Sequence, residues 1–253
     1  PTVTSTDVDG AAPVYSISGG ADAALFAIDS ATGALSFAVA PDYEAPADTG
    51  ADNVYDITVQ VSDGNGGTDT QVISVTVTAV NDNAPVITSN GGGPTATISV
   101  AENTGTVTTV TATDSDVPAP TLTYSISGGA DAARFAINAS SGALSFVAAP
   151  DYEMPTDAGA NNVYDVIVQV SDGTLTDTQA IAVTVTPVND NQPIIGSNGG
   201  GATASISIAE NSSAVTTVTA SDADLPAQTI TYSISGGADA ARFAIDAGTG
   251  ALS

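Results

Sequence analysis

Asn161-Asn-Val-Tyr164-Asp-Val166-Ile-Val168-Gln-Val170-Ser-Asp172-Gly173 is the stretch whose reading decides the fold. Tyr164, Val166, Val168 and Val170 fall on every second position with Asp and Gln among the residues between, the period of a half-buried strand and not of a helix. The same alternation runs through Leu122, Tyr124 and Ile126 and through Ile181, Val183 and Val185. Val, Ile and Thr fill these runs, while Gly, Pro, Asn and Asp separate them. Counting outward gives seven strands, at 95–101, 107–113, 121–127, 134–138, 143–148, 161–171 and 178–187, the number expected of a Greek-key β-sandwich of about 100 residues.

The sandwich is repeated. Tyr124-Ser-Ile-Ser-Gly-Gly-Ala-Asp-Ala-Ala also begins at Tyr15 and at Tyr232, and Val80-Asn-Asp-Asn returns at Val188. Residues 85–145 and 193–253 agree at 45 of 61 positions, so the units are near-copies. The expected fold is therefore all-β: tandem seven-stranded Greek-key β-sandwiches, immunoglobulin-like in class, in a linear array. Residues 1–80 read as a partial repeat without its first strand, 81–188 as a complete repeat, and 189–253 as a partial repeat without its last strands. The sequence reads as a window on a longer array. The Phe and Tyr residues sit at positions that recur between copies, Phe26 with Phe135 and Phe243, Tyr55 with Tyr164, and are assigned to cores.

Composition excludes most chemistry. Among 253 residues there are 28 Asp and Glu against two basic residues, Arg134 and Arg242, for a net charge of −26. Phosphate binding needs clustered Lys and Arg, so nucleic acid is no partner. With no His and no Cys, neither a zinc site nor a His- or Cys-based catalytic centre can be built. No apolar run approaches the roughly 18 residues of a membrane span. Hard, oxygen-loving cations remain, and so does carboxylate-only glycoside hydrolysis, motivated by the pair Asp151 and Glu153. A repeated acid pair without an aromatic-lined cleft is a poor enzyme, so the chain reads as non-enzymatic.

The carboxylates are patterned. All four Glu residues lie in repeated motifs: Asp42-Tyr-Glu44, Asp151-Tyr-Glu153, Ala-Glu102-Asn and Ala-Glu210-Asn. Asp pairs two residues apart in Asp114-Ser-Asp116 and Asp222-Ala-Asp224, precedes Gly at Asp63 and Asp172, and centres the triplets Asn81-Asp82-Asn83 and Asn189-Asp190-Asn191. Turns alone explain Asp and Asn, but not Glu or paired acids. If successive strands alternate in direction, Glu102, Asp151, Glu153 and Asp190 share one pole of the complete repeat, and Asp114, Asp116 and Asp172 share the other. In an array, opposite poles of neighbours abut. The first junction then gathers Asp42, Glu44, Asp82, Asp114, Asp116 and Asp172 with Asn81 and Asn83 as neutral oxygen donors; the second gathers Glu102, Asp151, Glu153, Asn189, Asp190, Asn191, Asp222 and Asp224. Asp7, Asp9 and Asp63 of the first repeat and Glu210 of the third are the corresponding flanking positions. Six clustered carboxylates repel by several kcal/mol unless a cation sits among them, and calcium, with six to eight flexible oxygen ligands, fits better than magnesium. Charge balance suggests two or three calcium ions per junction.

Ala-Glu102-Asn, Asp151-Tyr-Glu153, Val188-Asn-Asp-Asn-Gln-Pro193, Asp222-Ala-Asp224 and Val-Ser-Asp172-Gly, with Phe135-Ala-Ile-Asn and Gly142-Ala-Leu-Ser, resemble in order and spacing the motif set of cadherin repeats. The resemblance implies that these acidic positions ligate calcium between successive repeats. The family's linker usually has a further Asp where this chain has Ala79 or Pro187. Near-identical copies, the lack of Cys and the Ala/Thr/Gly/Asp-rich composition are similar to the extension regions of giant bacterial surface adhesins. That implies a secreted, extracellular or cell-surface spacer supporting adhesion and biofilm, whose partners are the neighbouring repeats of its own chain. Self-association of identical chains into a filament or homophilic contact is the alternative.

Overall fold

In the computed structural model, residues 1–8, 10 and 12–253 are described. Asp9, one of the candidate ligands, lies outside them. The chain contains strands, turns and a few one-turn 3-10 helices, so the all-β expectation holds. Among the described residues no helix is long and apolar enough to cross a membrane. Contacts group the chain into two compact units, one of residues 1–86, 113–122 and 171–177, the other of 87–112, 123–170 and 178–253.

In the first unit, β1 (Val14–Gly19), β2 (Phe26–Ile28), β3 (Leu35–Phe37), β4 (Val54–Ser62) and β5 (Thr68–Thr76) follow the alternating pattern. The order β1-β4-β5 makes one antiparallel sheet and β2-β3 a hairpin. The inward positions of β4 are Tyr55, Ile57 and Val59, all buried, and Phe26 and Leu35 close the core from the hairpin. Phe26 stacks on Phe37 at 4.4 Å, and Tyr55 meets Phe37 edge-on at 5.1 Å, the geometry that aromatic quadrupoles favour.

After the short strand β6 (Val86–Ile87), the middle repeat is built from β7 (Thr95–Ala101), β8 (Thr106–Thr109), β9 (Ala112–Thr113), β10 (Thr123–Gly128), β11 (Phe135–Ile137), β12 (Ala143–Phe146), β13 (Val163–Ser171) and β14 (Thr176–Thr186). A four-stranded sheet of order β10-β13-β14-β7 accompanies a three-stranded sheet of order β11-β12-β8. β7 pairs with β14 in parallel, Ala180 against Thr95 through Thr186 against Ala101. Tyr164, Val166, Val168 and Val170 are buried, as are Ile181, Val183 and Val185, as their period requires. The strand expected at 107–113 is in fact two, β8 and β9. It breaks at Val110, whose N–H donates to the Gly142 carbonyl (2.8 Å), while the Thr111 carbonyl accepts from Thr88 on another segment (2.9 Å). In the third repeat β15 (Ile194–Ile195) pairs with β17 (Ala220–Ser221), and β16 (Thr216–Thr217) with β18 (Ala251–Leu252). Residues 202–208 carry the β7 pattern but form no ladder among the described residues. Phe243, expected in a core, is 44% exposed in that repeat.

One backbone approach fixes the fold tightly. Gly142 has φ +69°, and a Cβ there would lie 2.0 Å from the Val110 carbonyl oxygen. Gly142→Ala combines the left-handed penalty with a backbone clash, and we expect a loss of about 3 kcal/mol or more in urea-unfolding stability. Gly91→Ala, at φ +88° but with nothing within 4 Å, is the control and loses only about 1–2 kcal/mol.

Candidate metal centre

Three tight carboxylate groups form among the described residues, in each of which one oxygen per residue lies within 4.8 Å of the others: Glu44, Asp82 and Asp116; Asp114, Asp116 and Asp172; and Glu102, Glu153 and Asp190. The first two share Asp116 and lie within the first compact unit; the third lies within the second. Asp116 is 4% exposed. Its Oδ1 accepts the backbone N–H of Asn83 (3.1 Å) and of Asp82 (3.4 Å) and the Asn83 side-chain nitrogen (3.0 Å). The Asn83 side chain foremost, with these N–H groups, holds the Asp116 carboxyl below the ordinary Asp range against the opposing effect of burial. Asp114 Oδ1 accepts the N–H of Asp116 (2.9 Å), and Glu44 Oε1 accepts that of Val117 (3.1 Å), so each acid is fixed by a backbone donor.

The second site repeats the arrangement. Asp224 Oδ1 accepts from Asn191 N (3.0 Å), Asn191 Nδ2 (2.9 Å) and Asp190 N (3.3 Å), Asp222 Oδ1 from Asp224 N (3.0 Å), and Glu153 Oε1 from Leu225 N (2.8 Å). Burial works against ionisation of Asp224, yet the Asn191 donors outweigh it and its carboxyl also sits low. Glu102, 3% exposed, receives the N–H of Val188 on Oε1 (2.6 Å) and of Tyr152 on Oε2 (2.7 Å). One side chain thereby ties the end of β7 to the Asp151-Tyr-Glu153 turn and to the linker. Asn103 Nδ2 donates to Asp190, a partner that sequence reading did not single out.

One feature distinguishes these groups from ordinary acidic turns. Asp114 Oδ2, Glu153 Oε2 and Asp224 Oδ2 are buried without a hydrogen-bond partner among the described residues. Burying an ionised oxygen with no donor costs several kcal/mol, so such atoms call for a cation. Asn81 reaches the same group, its amide nitrogen donating to Asp116 Oδ2 (3.1 Å) and Asp172 Oδ2 (2.8 Å). Carboxylate oxygen donors alone suit calcium in particular.

The remaining sequence-based candidates are placed differently. Asn83 and Asn191, expected as oxygen donors, instead donate their side-chain nitrogens to Asp116 and Asp224, and to Asp82 and Asp190. Asn189 Nδ2 donates to Gln228. Asp42 and Asp151 are exposed and cap their own turns, Asp42 Oδ1 accepting from Glu44 N (3.0 Å) and Asp151 Oδ1 from Met154 N (3.0 Å). Asp63 Oδ1 holds its own loop through the N–H groups of Asn65 (2.7 Å) and Gly67 (2.9 Å). Asp7, Asp63 and Glu210 belong to none of the three groups among the described residues.

Other buried acids are structural. Asp131 receives the N–H of Ala158 (2.7 Å) and Asp165 (2.9 Å); Asp157 receives those of Gly159, Asn161 and Asn162. Their first-repeat counterparts Asp22 and Asp48 do the same for Thr49, Asp52, Asn53 and Asp56. The Asp56 N–H is the main influence holding the Asp22 carboxyl below its ordinary value of 3.8, and N–H groups of Asp52 and Asn53 overcome burial at Asp48. A folded-state value below the unfolded one stabilises fully above the ordinary carboxylate range, and that stability is lost as pH falls through it and below. In chelator, the unfolding midpoint should therefore fall progressively below about pH 5, and Asp22→Asn should flatten the profile. Midpoints that stay level to pH 2 would contradict the clamp assignment.

Residues 96–186 match the Cadherin domain family model. The human protein Protocadherin Fat 1 is 34% identical over 231 residues, which is 87% of this chain and 5% of that protein's length. The mouse Cadherin-23 EC22-24 structure superposes with a TM-score of 0.68 at 23% identity, covering 100% of this chain and 79% of that one. Mouse Protocadherin-24 EC1-3 does so with a TM-score of 0.65 at 24% identity, covering 94% and 75%. The chain is thus cadherin-like in fold across its repeats, and the cadherin-domain match spans Glu102, Asp114, Asp116, Asp151, Glu153 and Asp172.

Proposed function

We propose that the chain is a calcium-stiffened extracellular spacer: tandem cadherin-like repeats of a secreted or cell-surface adhesion protein, divided as 1–80, 81–188 and 189–253. The observation that carries this reading is the set of buried carboxylate oxygens without a donor among the described residues, Asp114 Oδ2, Glu153 Oε2 and Asp224 Oδ2, each in or beside a tight acidic group. Two of the three acidic groups draw on two successive repeats, Glu44 with Asp82 and Asp116 in one, and Glu102 and Glu153 with Asp190 in the other, where Asp224 accepts the Asp190 N–H. Bound calcium would join neighbouring repeats through shared ions, and its removal would leave like charges repelling across the linker. Near-copies serve length better than recognition. That, with the Cys-free composition, supports placing the array in the extension region of a large surface adhesin that holds a binding domain away from its cell.

The acids that motivated the hydrolase alternative are engaged by backbone donors, Asp151 by the Met154 N–H and Glu153 by the Leu225 N–H. The self-association reading is separated by small-angle scattering over a concentration series, with calcium and with chelator. A monomer that lengthens and straightens in calcium supports the spacer; mass that grows with concentration in calcium replaces it with a filament; no response to calcium removes both. Thermal unfolding gives a second readout. Each site at a calcium concentration of 100 times its dissociation constant adds about 2.7 kcal/mol, so chelation should lower the midpoint by several degrees.

A further inference from the structure

The sequence holds three Asn-Gly pairs, at 65–66, 90–91 and 198–199, and the fold treats them unequally. We infer that Asn65 is a spontaneous modification site, a deamidation centre built into the loop that follows β4. An Asn-Gly pair is the most reactive context for this chemistry, because no Cβ on the following residue hinders approach of its backbone nitrogen to the carboxamide carbon. The Gly66 nitrogen, after losing its proton to solvent base, attacks Asn65 Cγ and forms a C–N bond. The side-chain nitrogen leaves as ammonia, and a five-membered succinimide remains. Water then opens either ring C–N bond, giving aspartate or isoaspartate. No oxidant, metal or enzyme is needed.

What separates the pairs is whether the carboxamide is held. Asn90 is fixed at both ends: Nδ2 donates to Gln179 Oε1 (3.1 Å) and Oδ1 accepts from Thr108 Oγ1 (3.1 Å). Gln179 is itself fully buried and donates to the carbonyls of Ser89 (3.3 Å) and Gly93 (2.8 Å), so Asn90 cannot swing toward its neighbour without breaking a buried network. Asn198 Oδ1 accepts from Thr216 Oγ1 (3.0 Å). Asn65 is exposed, and among the described residues its carboxamide has no partner; Gly66 has φ +107° and open space where a side chain would stand. Loop tips of this kind are where local opening costs least.

The position gives the change a consequence. Asn65 and Gly67 both donate their N–H to Asp63 Oδ1, and Asp63 is the register counterpart of Asp172, a member of a tight acidic group. Aspartate at 65 adds a charge beside Asp63; isoaspartate lengthens the main chain between 65 and 66 by one methylene and displaces the Gly67 donor. The corresponding loop of the middle repeat has Asp172-Gly-Thr-Leu in place of Asp63-Gly-Asn-Gly and holds no Asn-Gly pair.

The test is peptide mapping by mass spectrometry of the intact chain incubated at mildly alkaline pH, with and without strong denaturant. Folded, Asn65 should lose its amide several-fold faster than Asn90 or Asn198, with isoaspartate at 65 detected by enzymatic methyl transfer. In denaturant the three rates should converge, and Gly66→Ala should slow Asn65 alone. Equal rates in the folded chain, or an ordering that persists in denaturant, would overturn the inference.

Discussion

Asp116→Ala should weaken calcium binding at the first acidic site by more than about 100-fold. Loss of an outer-shell partner already costs 10–100-fold at a metal site, and Asp116 stands in two of the three tight groups at once. Its removal also frees the N–H groups of Asp82 and Asn83 that its Oδ1 receives, so the linker triplet loses its anchor along with its charge. Asp116→Asn separates the two effects: it keeps an oxygen for those donors but removes the charge, and should lose affinity with less disturbance of the loop. The second site, with its own Asp224, should titrate unchanged in either variant. Calorimetric titration at neutral pH reads all of this, and equal affinities in wild type and Asp116→Ala would refute the ligand assignment.

Glu102→Ala should destabilise the middle repeat by about 3–5 kcal/mol even without calcium. Each hydrogen bond to a charged acceptor contributes about 1.5–3 kcal/mol, and the buried Glu102 carboxylate takes two, from Tyr152 and Val188. Its removal leaves both donors unpaired at the end of β7. Glu102→Gln has one carbonyl oxygen and should recover roughly half of that loss while failing to recover calcium affinity, because the charge toward Glu153 and Asp190 is gone. Urea unfolding in chelator measures the first quantity and calcium titration the second. If Gln restores both, Glu102 is a clamp and not a ligand.

Much of this was legible in the sequence, for reasons that particular residues make plain. The alternation at Tyr164, Val166, Val168 and Val170 marks a strand because a pleat has no other way to bury every second side chain, and β13 lies at Val163–Ser171. Assigning successive strands opposite directions was enough to place Glu102 with Glu153 and Asp190, and Asp114 with Asp116 and Asp172. What stayed hidden depends on hydrogen bonds between distant residues. The parallel pairing of β7 with β14 leaves no mark on side-chain period. Val110 looks like any strand residue, yet the chain changes partners there. Asp131 and Asp157 recur between repeats as faithfully as Asp116 does, but they serve backbone donors; recurrence cannot tell a clamp from a ligand. Asn83 was expected to offer oxygen because calcium takes oxygen, and it offers nitrogen to the acid instead.

The central claim is that the acidic groups hold calcium, and the most direct test is isothermal titration of the intact chain with calcium, beside a variant carrying Asp116→Ala and Asp224→Ala together. The account predicts saturable binding to the wild type, with dissociation constants in the range of about 10⁻⁴ to 10⁻³ M typical of extracellular calcium modules, and none of it in the double variant. A wild type that takes up no calcium, or a double variant that binds as the wild type does, would contradict it.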